Sequence, residues 1–263
     1  MVRGSPVGLQ VILLRRFTIT IALSLLSLHA AALPRRRFEP NDLELSTHGQ
    51  LDADLQFGVL AGHGGEIDIP DFEISFGLTD NVQAEIDGAF ALVSQNGARD
   101  IRADNLWPSA KVGFGEFGDP AHGEFALGMQ LGPKVAIDAD NHGVGYESVL
   151  LAGYTFRRTR TVLNVGGLID PGPTLRQHQN GVEGGIDFHF VLDTKKHFAL
   201  LAEFGGVHFV SDDPDQLHVS AGIAYSATKH VDFSLVAVGG ILDGGGQRAG
   251  LLFGVSPNIV FFQ

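Results

Sequence analysis

The sequence predicts an all-β fold, namely a transmembrane antiparallel up-and-down β-barrel of about twelve strands preceded by a signal peptide. Three observations favour this fold. Apolar and polar residues alternate along many short segments, as they do in strands that face lipid on one side and water on the other. The N-terminus has the charge order of an export signal. The 263 residues include no cysteine, so disulfides do not stabilise this exported chain.

The first 32 residues are predicted to be the signal peptide. Basic residues at Arg3, Arg15 and Arg16 precede an apolar run over residues 17–28, and alanines follow it at 30–32. The run has about twelve residues, whereas a membrane-spanning helix needs about 20. A cleaved signal is therefore favoured over a membrane anchor.

Cleavage after these alanines gives a signal peptide over 1–32, a periplasmic N-terminal lead-in over 33–48 and an outer-membrane β-barrel over 49–263. The whole sequence has a formal charge of −12. Only basic charges lie in the signal peptide, so the mature chain is more acidic still. An acidic protein repels nucleic-acid phosphates, so no nucleic-acid partner is expected. The expected partners are outer-membrane lipid, the barrel-insertion machinery and a small-molecule solute.

Alternation is clearest at the start of the barrel. Odd positions over 51–59 are apolar, and even positions over 50–56 carry Gln or Asp. In the next segment, over 71–78, the apolar positions are even. A helical period of 3.6 would mix these sets. Further strands are predicted over 82–92, 106–117, 123–132, 146–157, 160–169, 181–192, 197–209, 216–227, 231–242 and 247–262. Around Leu150 and Val165 both faces are apolar, so the register stays open there.

The connections between these segments alternate in length. Tight turns are predicted at 79–81, 118–122, 158–159, 193–196 and 228–230, and long loops at 94–105, 133–145 and 170–180. Bacterial barrels have short periplasmic turns and longer external loops. A soluble β-sandwich needs no such asymmetry. The pattern thus predicts location in the cell outer membrane of a Gram-negative bacterium.

Part of the sequence resembles a known family. The residues are Leu43-Glu44-Leu45-Ser46, then Pro70-Asp71-Phe72-Glu73-Ile74-Ser75-Phe76-Gly77-Leu78-Thr79-Asp80, then Val82-Gln83. This stretch is similar to the opening of outer-membrane barrels described as transporters of the phenol meta-degradation type. The remainder of the chain resembles them in architecture alone. The resemblance implies a channel for uptake of small compounds, including apolar or aromatic ones.

The polar positions of the strands face the lumen if the apolar ones face lipid. Most are acidic, with Lys111 and Arg248 as the main basic counterweights. Acidic rings in a pore favour cations; alternatively, these carboxylates pair with basic residues and solvate a narrow lumen. The residues predicted to line a cation or solute path are Asp52, Asp54, Asp71, Glu73, Glu85, Asp87, Lys111, Glu124, Glu183, Asp187, His189 and Arg248.

No catalytic residue, metal site or cofactor is predicted. His189 and His218 lie two residues from Asp187 and Ser220, but no Gly-x-Ser-x-Gly element is present. The stretch 138–143 partly matches a calcium loop and lacks the closing Glu, so it is interpreted as a solvated loop. Gly244-Gly245-Gly246 is interpreted as a hairpin tip.

The sequence therefore predicts a channel or transporter for passive uptake of small solutes, not an enzyme. Two alternatives remain open. One is a structural or surface-interaction barrel with a plugged lumen. The other is an outer-membrane lipid-modifying enzyme.

Overall fold

The computed structural model describes residues 43–261, with gaps at 62–64, 96–97, 104, 138–141, 175–176, 196, 211–214 and 244–248. The predicted signal peptide, the lead-in before residue 43, most of the calcium-like loop and the Gly-rich tip lie outside these ranges. Within the described residues, no helix is long and apolar enough to cross a membrane.

The described residues form β-strands that close into an antiparallel barrel, which confirms the predicted fold. Apart from β4, which pairs with β3 alone, each strand pairs with the strands next to it along the chain, β3 pairs with β5, and the first strand pairs with the last. The strands are β1 Gln50–Ala61, β2 Gly65–Thr79, β3 Val82–Gln95, β4 Ala98–Ala103, β5 Trp107–Asp119, β6 Gly123–Val135, β7 Val144–Phe156, β8 Thr159–Thr174, β9 Gln177–Val191, β10 Phe198–Phe209, β11 Gln216–Thr228, β12 Val231–Asp243 and β13 Ala249–Val260.

Twelve of these strands form the barrel wall, and β4 is a short addition. Residues 98–103 of β4 pair with the end of β3, whereas β5 pairs with the start of the same strand. The expected loop over 94–105 is therefore partly β-structure, and so is the one over 170–180, where β8 and β9 extend from both sides. These loop predictions were wrong because a neighbouring strand can satisfy backbone hydrogen bonds even where the side chains do not alternate.

The five predicted tight turns all lie at one end of the barrel, which we call the turn end; the opposite end is the loop end. On the outward face, aromatic rings gather near the turn end. The rings of Phe198 and Tyr225, for example, stack with centroids 4.8 Å apart. Aromatic girdles of this kind mark the interfaces of membrane barrels.

The structure resolves the register that the sequence left open. Leu150 on β7 lies opposite Val165 on β8, and both are outward-facing and more than half exposed. Their neighbours Val149, Leu151 and Val162 face inward and are buried. Both faces of β7 and β8 are therefore apolar because the barrel interior holds an apolar cluster at this place.

Candidate functional site in the barrel interior

Residues Leu43–His48, which we call the inner segment, lie against the inner wall of the barrel. Ser46 is fully buried, and its hydroxyl donates a hydrogen bond to the carboxylate of Asp52 and lies 3.0 Å from the hydroxyl of Ser75. Its backbone N–H donates to Oε1 of Gln83 at 2.6 Å. Hydrogen bonds thus fix the inner segment to β1, β2 and β3.

Glycines on the next strands make room for the inner segment. A Cβ atom at Gly128 or Gly153 would lie 2.8 or 2.6 Å from a methyl carbon of Leu43. At Gly113 it would lie 2.9 Å from Leu45. Leu43 also packs against the buried cluster of Trp107, Val149, Leu151 and Val162. Small residues on β5, β6 and β7 therefore form the surface that receives the two leucines.

An ion pair joins the inner segment to β8. Nη1 of Arg160 lies 2.6 Å from Oε1 of Glu44. Because β8 is the seventh of the twelve wall strands from β1, it lies across the lumen from β1. The inner segment therefore crosses the interior near the turn end and restricts the lumen there.

Glu85 is the centre of a buried hydrogen-bond network beside the inner segment. Its carboxylate accepts hydrogen bonds from the amides of Gln83 and Gln130, at 2.5 and 2.6 Å. The ammonium of Lys111 lies 3.3 Å from the same carboxylate. Lys111, predicted as a basic counterweight, is thus paired with Glu85, and Gln83 links this network to Ser46.

The acidic residues of β1–β3 lie side by side on the inward face. Asp54 is opposite Glu73, and Glu73 is opposite Asp87. Asp52 and Asp54 are buried, whereas Asp71 is exposed towards the loop end.

One group among the described residues could hold a metal ion. Oxygens of Glu73, Glu85 and Asp87 lie within 4.8 Å of one another. Glu85 already accepts bonds from two amides and an ammonium, so its oxygens have little capacity left for a metal ion. We therefore assign no metal to this group.

A second ionic group lies nearer the loop end. The ammonium of Lys134 is 2.6 Å from Glu147 and 2.9 Å from Asp170. Glu183 is also on this inward surface, where a Cβ on Gly166 would lie 2.8 Å from its Oε1. Sequence reasoning missed Lys134 because residues 133–145 were expected to be a loop. Lys134 and Gln130 both lie at even positions of β6. Continuing the alternation of β6 to residue 134 would therefore have placed Lys134 on the inward face.

The remaining predicted lumen residues are dispersed. Asp187 is fully buried and accepts a hydrogen bond from Asn164 at 3.1 Å. His189 lies beside it on β9 and is buried. Glu124 is half-buried near the turn end, and Arg248 lies outside the described residues.

His218 and Ser220 do not form the arrangement of a nucleophile and its base. The imidazole Nε2 of His218 lies 2.8 Å from Oε1 of Glu203. The hydroxyl of Ser220 donates to the other oxygen of Glu203 at 3.4 Å. Both side chains therefore contact the same carboxylate, whereas a catalytic triad needs the hydroxyl to contact the imidazole.

Comparison with known proteins identifies the fold. No family model and no curated protein sequence matches the chain. Solved structures do, at low sequence identity. An outer-membrane channel from Pseudomonas putida F1 has a TM-score of 0.59 and 11% identity, over 84% of this chain and 99% of that one. The NanC porin has a TM-score of 0.55 and 10% identity, over 78% and 98%. The KdgM porin has a TM-score of 0.52 and 10% identity, over 80% and 99%. This chain therefore shares the barrel fold of outer-membrane porins and channels.

Proposed function

We propose that the protein is an outer-membrane channel for passive uptake of small solutes, with a lumen restricted by the inner segment. The observation that carries this proposal is the polarity of the closed barrel, which is apolar outside and ionisable inside. Only helices and closed barrels satisfy all backbone groups in lipid. The wall strands have 12 to 16 residues, more than the roughly 9–11 that a tilted spanning strand needs.

The charge of the lumen suggests which solutes pass. The KdgM porin forms a complex with disordered oligogalacturonate, which is an anionic chain of sugar acids. The carboxylates on β1–β3 of this chain oppose such an anion, so we propose cations and small neutral compounds as solutes. The cluster around Trp107 offers an apolar surface for an aromatic ring when Leu43 moves away. This fits the aromatic solutes that the family resemblance implies.

A barrel with a plugged lumen is the second candidate. The observation that favours it is the inner segment itself, which makes polar contacts at Ser46, apolar contacts at Leu43 and an ionic contact at Glu44. In that case the barrel would have a structural role or bind partners at its surface, without conduction.

Planar-bilayer recording under a KCl gradient separates the two candidates. A channel is expected to give a reversal potential that favours K⁺, and this preference should fade at high salt because charges are screened beyond about 10 Å at 0.1 M. The combined variant Asp71→Asn, Glu73→Gln and Asp87→Asn should weaken the preference, and Asp80→Asn in a turn is the control. If the barrel conducts without cation preference, the carboxylates on β1–β3 do not select the solute. A barrel that never conducts would support the plugged alternative.

A further inference from the structure

The turns at the turn end carry opposite charges on two sides of the rim. The turns between β2 and β3 and between β5 and β6 bear the exposed carboxylates of Asp80 and Asp119. The turns between β7 and β8, β9 and β10, and β11 and β12 are basic instead. Their basic side chains, which we call the basic arc, are Arg157, Arg158, Lys195 and Lys229. All four are exposed apart from Lys229, which is half-buried.

The three basic turns form one stretch of the rim. The strands that they connect, from β7 to β12, are consecutive neighbours in the wall. The backbone N–H of Val191 donates a hydrogen bond to the carbonyl of Arg158 at 2.9 Å, and that of Ser226 donates to the carbonyl of His197 at 2.8 Å. Each basic turn is therefore bonded to a strand of the next hairpin, and the basic arc is a continuous surface.

The two arginines of the basic arc contact the outward face of the barrel. Cζ of Arg157 lies 5.1 Å from the centroid of the Phe156 ring, and that outward ring is 41% exposed. A cation held over an aromatic ring in this way is attracted to the face of the ring. Nη1 of Arg158 donates to the carbonyl of Leu192 at 3.2 Å. A guanidinium has five N–H donors, so most of those of Arg158 are left for a ligand.

The position of the basic arc indicates what it meets. In bacterial barrels the short turns face the periplasm, and aromatic side chains lie at the boundary between the acyl chains and the headgroups. The stacked rings of Phe198 and Tyr225 mark that boundary on the same side of the rim. The basic arc therefore lies at the level of lipid headgroups. Asp80 and Asp119 lie at the same end of the barrel, so location at this boundary does not by itself require basic residues.

We propose that the basic arc binds the phosphate of an anionic phospholipid headgroup. Guanidinium groups bind phosphate oxygens through paired hydrogen bonds, and basic residues near a membrane surface attract anionic lipids. The whole chain has a formal charge of −12, so its overall charge repels such a lipid. The attraction must then come from the local charge of the basic arc. Lipid binding at the rim does not depend on conduction, so its test is independent of the channel proposal.

The test measures lipid contact on the two sides of the rim with tryptophan reporters. Leu192→Trp places a reporter beside Arg158, and Phe117→Trp places a matched one on the outward face beside Asp119. The chain has a single native tryptophan, Trp107, which is buried, so the wild-type protein supplies the background. Each protein is folded into phosphatidylcholine vesicles that contain either brominated phosphatidylglycerol or brominated phosphatidylcholine, and quenching of fluorescence is measured.

The reporter at residue 192 should show at least ~5-fold stronger binding of phosphatidylglycerol than of phosphatidylcholine, the factor expected from one basic residue at a lipid surface. The reporter at residue 117 should show no such preference. Changing Arg157→Gln and Arg158→Gln together should bring the two lipids close to equal binding at residue 192. High salt should also reduce the preference, because it screens the charges.

A charge-matched variant separates the basic arc from net charge. Arg158→Gln alone should lower the preference, whereas Arg99→Gln, which removes the same charge from exposed β4 at the loop end, should not. Lys195→Gln with Lys229→Gln provides a second variant should the arginine changes impair folding. The proposal is overturned if the two lipids bind equally at residue 192, if both reporters show the same preference, or if the preference survives loss of the arginines. Equal binding would leave an acidic protein as the partner that this charge fits.

Discussion

The outward and inward faces of the barrel differ in what surrounds their side chains. On the outward face, Leu150 and Val165 are more than half exposed and are expected to contact lipid. Other apolar side chains should fit equally well at these positions. On the inward face near the turn end, the wall residues that contact the inner segment match the part of it that they meet. Ser75 is polar where it meets Ser46, and Leu151 is apolar where Leu43 packs. Thus contact with lipid requires an apolar side chain at every outward position, whereas contacts with a few residues of the inner segment decide whether an inward side chain near the turn end is polar or apolar.

The largest expected effect separates the two faces directly. Ile74→Lys places a charge on the outward face of β2, and a Lys at mid-bilayer costs roughly 2–4 kcal/mol. Asp71→Lys changes an inward side chain of the same strand that is already exposed. We expect the first change to lower folding yield into lipid vesicles strongly and the second to leave it nearly unchanged. Equal yields would show that the assigned faces are wrong.

Ser75 is not a suitable inward control, although the sequence alone suggests it. It is 1% exposed, and its hydroxyl lies 3.0 Å from that of Ser46. A Lys at this position would displace the inner segment. Ser75→Lys is therefore expected to impair the packing of the lumen while sparing the contact with lipid.

This difference between faces explains what the sequence could predict. Alternation identified the outward set of β2, such as Phe72 and Ile74, because lipid contact repeats every second residue. It also identified the acidic neighbours Asp54 and Glu73. It could not find the inner segment, since residues 43–48 are too few to show a period and their partners are distant in sequence. Ser46 and Gln83 belong to two separate stretches of the sequence that resembles the known family. The resemblance alone did not indicate that these two residues are in contact.

An intermediate effect is expected from filling the space that the inner segment uses. Gly128→Leu with Gly153→Leu places side chains where Leu43 now packs, since even a Cβ there would lie within 2.8 Å of it. The inner segment should be displaced and bilayer conductance should rise. Gly167→Ala is the control, because its Cβ would have no atom closer than 3.8 Å. Unchanged conductance in a folded double variant would argue that the inner segment does not restrict the lumen.

The smallest effect concerns the ion pair that holds the inner segment to β8. Arg160 and Glu44 are partly exposed, with side-chain accessibilities of 18% and 20%, so their pairing contributes at most about 1 kcal/mol. Because the chain has no cysteine, Leu45→Cys gives a single site for labelling by a water-soluble maleimide. Adding Arg160→Gln should raise the labelling rate by up to about 5-fold, since a loss of 1 kcal/mol changes an equilibrium by roughly that factor.

Raising the salt concentration should reduce the difference in labelling rate between the two proteins, because salt screens the ion pair. Arg157→Gln in the adjacent turn removes a charge without touching Glu44, so an equal increase in that variant would show that the effect is not due to the ion pair.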